Sequence, residues 1–321
     1  MKHLLRILLT SSLLLATAQT VPAQGPGSTT PGFSGRLQGG AFFMQTNSQL
    51  STADSESRTE DLDGPADTYE SFRGIASLYL RYEFESGTAV YFGNPLEVGE
   101  GIELAAGVRQ PTAAGTLDAA VIWLPIEAVW KNPYQTVSKR ETSDVGAYGL
   151  RFKLEEIGGT PWEANYTLDR TDIEDDAIGD LDDNLKRDGW THELAAKYTF
   201  EVKQGVRLRP ELGYTYADIE GASNRYQGFT LGLLAQRARP TWVLIGRVAG
   251  FHNSYQERHP LFGKTRRESG ISAFAQVIRP NLFGMQRLFA SLAAGYIWSD
   301  ANIDFFDSQT VIGLASVGID F

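Results

Sequence analysis

From Trp190 to Ala217 the chain alternates between two kinds of side chain on both sides of a tight turn. One parity of the first arm is Trp190, His192, Leu194, Ala196, Tyr198, Phe200 and Val202, and the other is Thr191, Glu193, Ala195, Lys197, Thr199, Glu201 and Lys203. After Gln204 and Gly205 the pattern resumes, with Val206, Leu208, Pro210, Leu212, Tyr214 and Tyr216 set against Arg207, Arg209, Glu211, Gly213, Thr215 and Ala217. A period of two belongs to extended strands, whose successive side chains point to opposite faces. The break at Gln204-Gly205 makes the pair a hairpin. Strands of soluble sheets usually run to about five or six residues, whereas these arms reach about a dozen, the length that crosses a bilayer at a tilt.

The same alternation recurs without a domain break. Strands are expected at FSGRLQGGAFFMQ, FRGIASLYLRYEF, TAVYFGN, GIELAAGVR, TLDAAVIWL, VGAYGLRFKLE and WEANYTLDR, then at the opening pair, QGFTLGLLAQ, TWVLIGRVAG, GISAFAQV, RLFASLAAGYIW and the C-terminal strand. That makes about fourteen. Twelve stays open, because the third is short and the fifth carries Pro125. Short turns (ESGT, PTAAG, IGGTP, KQG, RP, NLFGM) alternate with long polar loops at 47–71, 131–143, 172–188, 254–267 and 299–308. The fold class this predicts is all-β, a transmembrane up-and-down antiparallel β-barrel with both termini on the periplasmic side. In hydrocarbon every backbone amide must be paired, and only a closed sheet has no edge.

The ends agree with that reading. Lys2 and Arg6, the apolar run Leu4 to Leu15 and the small residues Val21-Pro22-Ala23 have the layout of a signal peptide over residues 1–23, with Ala16-Thr17-Ala18 as the other cleavage site. Residues 24–321 then form a single barrel domain in the bacterial outer membrane. The chain ends on Phe321, with Val311, Gly313, Ala315, Val317 and Ile319 on the same parity, which resembles the C-terminal strand of bacterial outer-membrane barrels that the barrel-assembly machinery engages. A mean hydropathy of -0.23 excludes a helical membrane protein. Absence of Cys fits export through an oxidising compartment. Loss of Lys2 and Arg6 moves the formal charge from -10 to about -12, so nucleic acid is not an expected partner.

The apolar parity, with Leu78, Leu80, Tyr82, Phe84, Leu150, Phe152, Leu154, Leu194, Leu212 and Val317, is expected to face lipid. Trp162, Trp190, Tyr214, Tyr216, Tyr296 and Trp298 supply interfacial girdles at the level of the lipid and lipopolysaccharide headgroups. The opposite parity carries Arg36, Arg73, Arg81, Glu83, Arg109, Arg151, Lys153, Glu155, Glu193, Lys197, Glu201, Arg207, Arg209, Glu211 and Arg247, together with Glu103 and Glu163. Such groups can face inward only where water or opposite charge meets them. The expected function is a porin-like passive channel for small solutes, with no cofactor and no metal. Both signs occur in similar number, against a strongly selective pore. The alternative is a non-conducting barrel, its lumen laced by salt bridges and its loops engaging cations, lipopolysaccharide or another surface.

Two loops are strongly acidic, STADSESRTEDLDGPADTYES and TDIEDDAIGDLDDNLKRDG. Asp172, Glu174, Asp176, Asp180, Asp182 and Asp183 are candidate divalent-cation ligands, although Ala177 stands where a turn glycine belongs in an EF-hand and solvated loops account for them more simply. The loop SYQERHPLFGKTRRE is basic by contrast, so pairing between loops over the mouth is expected. His192 reads as an interfacial residue. His252-Asn253-Ser254 resembles the His-x-Ser spacing of an outer-membrane phospholipase, in which an imidazole activates a serine two places on. A lipid hydrolase using His252 and Ser254 is the remote third reading, and no catalytic residue is assigned.

Over nearly the whole mature length the chain is similar to an uncharacterised family of bacterial outer-membrane proteins, a domain of unknown function. The residues that carry the resemblance are GFSG at Gly32 to Gly35, WKNPY at Trp130 to Tyr134, KRDG at Lys186 to Gly189, PLFGKTR at Pro260 to Arg266 and SDANIDFFDS at Ser299 to Ser308. The resemblance implies an outer-membrane barrel and no established activity.

Overall fold

The computed structural model describes residues 31–52, 61–94, 103–124 and 128–321. Seventeen strands follow in chain order: β1 (Gly32–Thr46), β2 (Tyr69–Glu83), β3 (Ala89–Gly93), β4 (Leu104–Thr112), β5 (Gly115–Trp123), β6 (Val129–Trp130), β7 (Thr142–Ser143), β8 (Val145–Glu155), β9 (Trp162–Ile173), β10 (Gly189–Tyr198), β11 (Phe200–Lys203), β12 (Val206–Ile219), β13 (Tyr226–Arg239), β14 (Trp242–Arg258), β15 (Thr265–Arg279), β16 (Leu288–Ala301) and β17 (Ser308–Asp320). β6 and β7 make a small hairpin of their own; the rest pair antiparallel with their chain neighbours. β1 pairs with β17 from Arg36 opposite Asp320 to Thr46 opposite Thr310. β10 and β11 follow one line along β12, broken only at Thr199, whose N–H donates to the Pro161 carbonyl. The result is a closed antiparallel barrel of 14 strands.

Closure settles the strand count. β3 is short, but it pairs with both β2 and β4, and β5 pairs with both β4 and β8, so neither can be left out of the ring. Pro125 and the signal-peptide segment lie outside the described residues. Two of the long loops expected from sequence are shorter. β14 runs on to Arg258 and β15 begins at Thr265, leaving 259–264, and β16 and β17 leave only 302–307. Their polar residues still find partners in the ladder, so strand outlasts the apolar pattern there.

Burial is inverted relative to a soluble protein. Large apolar side chains on the outward parity are exposed, among them Leu78, Val108, Val121, Leu150, Leu194, Leu212, Leu231, Val248, Leu292 and Val317. That surface is the lipid-facing band of an outer-membrane barrel. At the periplasmic strand ends aromatic rings pair along the rim: Trp162 with Tyr198 at 4.9 Å between centroids, Tyr198 with Phe200 at 4.6 Å and Phe33 with Phe321 at 6.0 Å. Trp190 and Trp298 stand near the extracellular strand ends. No helix among the described residues is long and apolar enough to cross a membrane.

The terminal strands lock by backbone. Gly35 N–H donates to the Phe321 carbonyl at 2.8 Å, and the Gly35 carbonyl accepts the Phe321 N–H at 2.9 Å. Gly40, on the inward face of β1, is required by close approach, since a Cβ there would lie 2.1 Å from the Ala315 carbonyl oxygen. Neighbouring Gly39 has only the Ile75 carbonyl at 3.8 Å. Gly40→Val is therefore expected to pry open the β1–β17 seam, at a cost of about 1–3 kcal/mol or more, while Gly39→Val is tolerated. The heat-modifiable folded band on unheated gels reads the difference, and equal loss in both variants contradicts the seam argument.

Candidate functional site: the lumen and its extracellular mouth

The ionisable parity points into the barrel and is tied together in pairs. Arg36 Nε donates to Asp320 Oδ1 at 2.6 Å, Arg81 Nη2 to Glu83 Oε2 at 2.6 Å, and Arg109 Nη2 lies 2.5 Å from Glu155 Oε2. Arg151 pairs with Glu103 and Arg247 with Glu211. Glu163 collects two cations, Lys197 at 3.2 Å and Arg209 at 3.7 Å. Lys153 stands opposite Asp118, which accepts the Tyr91 hydroxyl at 2.7 Å. Arg73 is on the inward parity of β2, opposite Phe42. Glu193 and Asp169 share the β9–β10 wall without an ion pair among the described residues. Arg207 sits at the periplasmic end opposite Glu201. Glu201 departs from the rest: all four residues of β11 are exposed, because the hairpin projects past the rim.

Exposure of the paired cations differs with their position along the strands. The side chains of Arg36, Arg81 and Arg109, on β1, β2 and β4, keep 21%, 29% and 27% of their surface accessible, against 1% for Arg247 and 2% for Lys197. Deeper on the β1–β5 side Gln38, Met44, Ser77, Asp118 and Ile122 are buried, as Arg247 and Lys197 are. A glycine makes the contact between Glu211 and Arg247 possible: a Cβ at Gly232 would lie 2.6 Å from Glu211 Oε1, so the Glu211 side chain crosses β13 over Gly232 to reach Arg247 on β14.

The extracellular mouth has a core of its own. Ala301, Ile303, Phe305 and Phe306 are buried there, with Leu50, Leu62, Tyr134 and Phe262 packed against them from other connections. His259 lies inside this cluster, its Nε2 sharing a hydrogen bond with the Tyr134 hydroxyl at 2.9 Å and its ring 4.8 Å from Phe262. Arg266 stacks on Phe306 at 3.7 Å and on Tyr255 at 4.5 Å while donating to Glu268 at 2.7 Å. Side chains bonded to backbone tie the loops together: Trp130 Nε1 donates to the Ser51 carbonyl at 3.1 Å, and Arg140 Nη1 to the Gln49 carbonyl at 2.6 Å. Lys131 reaches Asp175 at 2.5 Å and Glu141 at 3.3 Å. Burial, with the nearby Arg266 charge adding to it, pushes the His259 imidazole down to about 4, and burial pushes the Tyr134 phenol up to about 12.

Four of the five stretches that carry the family resemblance meet at this mouth. WKNPY supplies Trp130, Lys131 and Tyr134, PLFGKTR supplies Phe262 and Arg266, and SDANIDFFDS supplies Phe305 and Phe306. KRDG closes the loop beside them: Arg187 binds Asp176 and the Lys131 carbonyl, and Asp188 accepts the Ile173 N–H at 2.8 Å. The fifth, GFSG, lies at the β1–β17 seam. Among the described residues no ion pair joins the basic loop to either acidic loop, since Arg266 pairs with Glu268 of its own segment; the loops meet instead through this aromatic cluster, which the sequence reading missed. The available signal was the set of large aromatics in segments read as polar loops.

The acidic loop does not converge on a point. Asp176 is held by Arg187, Asp182 accepts the Asn184 N–H at 2.9 Å, and Asp183 pairs with Lys186 at 2.8 Å. Among the described residues no three acidic, histidine or cysteine side chains gather in a metal-holding group. His192 is outward, bonded to the Tyr166 hydroxyl at 2.8 Å. His252 and Ser254 are also outward and exposed, 3.1 Å apart between Nε2 and Oγ.

Two outcomes are expected. Arg247→Met leaves Glu211 as a lone buried charge and costs about 3–5 kcal/mol, much of which returns when Glu211→Met is added; urea midpoints in detergent measure both. His259 is held neutral, so protons favour the unfolded loops: mouth stability is complete above about pH 6.5 and is lost as pH falls toward about 4. Protease cleavage of the loops rising over that window, and a flatter profile in His259→Phe, check the sign.

Comparison with known proteins places the chain in a family. No curated protein matches it by sequence. Among solved structures it is similar to a loop-deletion variant of OmpT, an outer membrane protein of Vibrio cholerae, at 10% identity over 91% of this chain and 99% of that one, with a TM-score of 0.41. It is also similar to the outer membrane channel DcaP of Acinetobacter baumannii, at 10% identity over 90% and 96% with a TM-score of 0.45, and to a Pseudomonas aeruginosa FadL homologue, at 9% identity over 90% of each with a TM-score of 0.43. The family model described as protein of unknown function (DUF2860) matches residues 32–321, the entire ring from β1 to the terminal Phe321, and the chain belongs to that family of outer-membrane β-barrel proteins.

Proposed function

We propose that the mature chain, residues 24–321, is a passive channel for small polar solutes. The observation that carries the reading is the inward parity of paired ionisable groups, with Arg36, Arg81 and Arg109 partly open to water near the periplasmic strand ends. Each exposed guanidinium has a carboxylate beside it, so the path presents alternating sign rather than one strong field. That arrangement suits small zwitterionic or uncharged solutes better than ions of one charge. The aromatic core at the mouth sets the size limit, because a solute must pass between loops joined through Tyr134, Phe262 and Phe305. In this reading the outer leaflet, lipopolysaccharide included, surrounds the apolar band. The C-terminal strand ending in Phe321 is what the barrel-assembly machinery engages.

Single-channel recording in planar bilayers tests it. Wild-type protein is expected to give small, steady steps with little preference between potassium and chloride, and Phe305→Ala with Phe306→Ala to give larger ones. Silence from both proteins across many insertions supports the non-conducting barrel instead.

A further inference from the structure

The outward face of β13 to β16, on the extracellular side, carries a set of polar groups that a passive channel does not use. His252 Nε2 lies 3.1 Å from Ser254 Oγ, and His252 Nδ1 lies 2.8 Å from Ser269 Oγ on the next strand. Register places more on the same face. Ser254 stands between Gln227 on β13 and Arg267 on β15, and Ser269 stands opposite Asp300 on β16. All six side chains are exposed. Residues directly opposite in an antiparallel pair hold their Cβ atoms about 4.5–5.5 Å apart, so the six form one compact patch.

We propose that this patch is an acyl-ester hydrolase site, with Ser254 as nucleophile and His252 as base, acting on phosphate-bearing lipid esters of the outer leaflet. With its proton on Nδ1, donated to Ser269 Oγ, the imidazole presents a free Nε2 lone pair to the Ser254 hydroxyl. Ser269 is then a positioning residue, and Asp300, its cross-strand neighbour, biases the same tautomer. Ser254 is paired with Gln227 of β13 and with Arg267 of β15, after which the β15 register shifts, so the side chains directly opposite it are the placed donors to a developing oxyanion. Gln227 and Arg267 flank the nucleophile in that role. Location selects the substrate: the exposed apolar surface of Phe229, Leu231, Val248 and Ile271 lies on the membrane side of the patch, and exposed Arg258 and Lys264 stand on the solvent side. An acyl chain in the leaflet and a phosphate above it would bracket the ester at Ser254.

The chemistry balances with water alone. Ser254 Oγ bonds to the ester carbonyl carbon as its proton passes to His252 Nε2, and the carbonyl oxygen takes up the negative charge. Collapse breaks the bond to the lipid alcohol, which leaves with the proton from His252, and the acyl group stays on Ser254. Water then adds in the same way, losing its proton to His252, and the second collapse frees the carboxylic acid and restores the serine.

The test uses the full mature chain, refolded in detergent and shown to conduct. A fluorophosphonate probe is expected to label Ser254, located by peptide mapping, and labelling is lost in His252→Ala. Fatty-acid release from mixed micelles containing phosphatidylglycerol is expected to vanish in Ser254→Ala and to fall roughly a hundredfold in Arg267→Met. Ser269→Ala is expected to lower release and move its pH profile, which a merely structural residue would not do. These side chains lie on the surface, so every variant keeps its heat-modifiable folded band. Wild-type protein that conducts yet takes no label at Ser254, or releases fatty acid no faster than Ser254→Ala, overturns the proposal and leaves the channel reading standing; loss of conductance alone does the reverse.

Discussion

A peptide group left unpaired in hydrocarbon costs several kcal/mol, and this one penalty organises the molecule. It forbids an edge, so β1 must find β17, and Gly35 and Phe321 close the ring through their own backbones. It also makes short strands obligatory members of the sheet, which is why β3 stands in the ring although it is only five residues long. Once the ring is closed, side-chain parity ceases to be a matter of preference. A residue is either in lipid or in the lumen, and a slip of one place would put the arginines in hydrocarbon.

The lumen inherits the consequence. Ionisable groups gathered there have only each other and residual water for company, and pairing is denser where water is scarcer. Arg247 and Glu211 are nearly inaccessible and meet each other across a whole strand, over the bare backbone of Gly232. Arg81 and Arg109 have partners too, yet keep more than a quarter of their surface wet. Screening by that water weakens the second kind of pair.

Much of this was legible in the sequence because parity is a local property. Alternation from Trp190 to Ala217, the turn at Gln204-Gly205 and the terminal Phe321 give the strands, their faces and their number within two. Three things were not legible, because parity does not say where a strand ends or which loops meet. The burial of Phe262, Phe305 and Phe306 is made by loops that only the closed ring brings together. Extension of β14 to Arg258 follows from a partner strand, since its last residues no longer alternate in hydropathy. Glu201 has the right parity but lies beyond the rim, where facing inward has no meaning.

Each strand of a barrel this thin serves two environments at once, and β14 shows what that permits. Arg247 and Asn253 point inward and are buried, while His252 and Ser254, one residue either side of Asn253, point into the outer leaflet. The two faces share a backbone but not a side chain, so substitutions on one can accumulate with little effect on packing at the other. Rigidity is common to both: the ladder holds His252 and Ser254 at a spacing no loop would keep, and the dry ion-paired wall behind them holds the ladder. A channel needs only its lumen, and nothing about conduction calls for an imidazole bridging two hydroxyls on the lipid side.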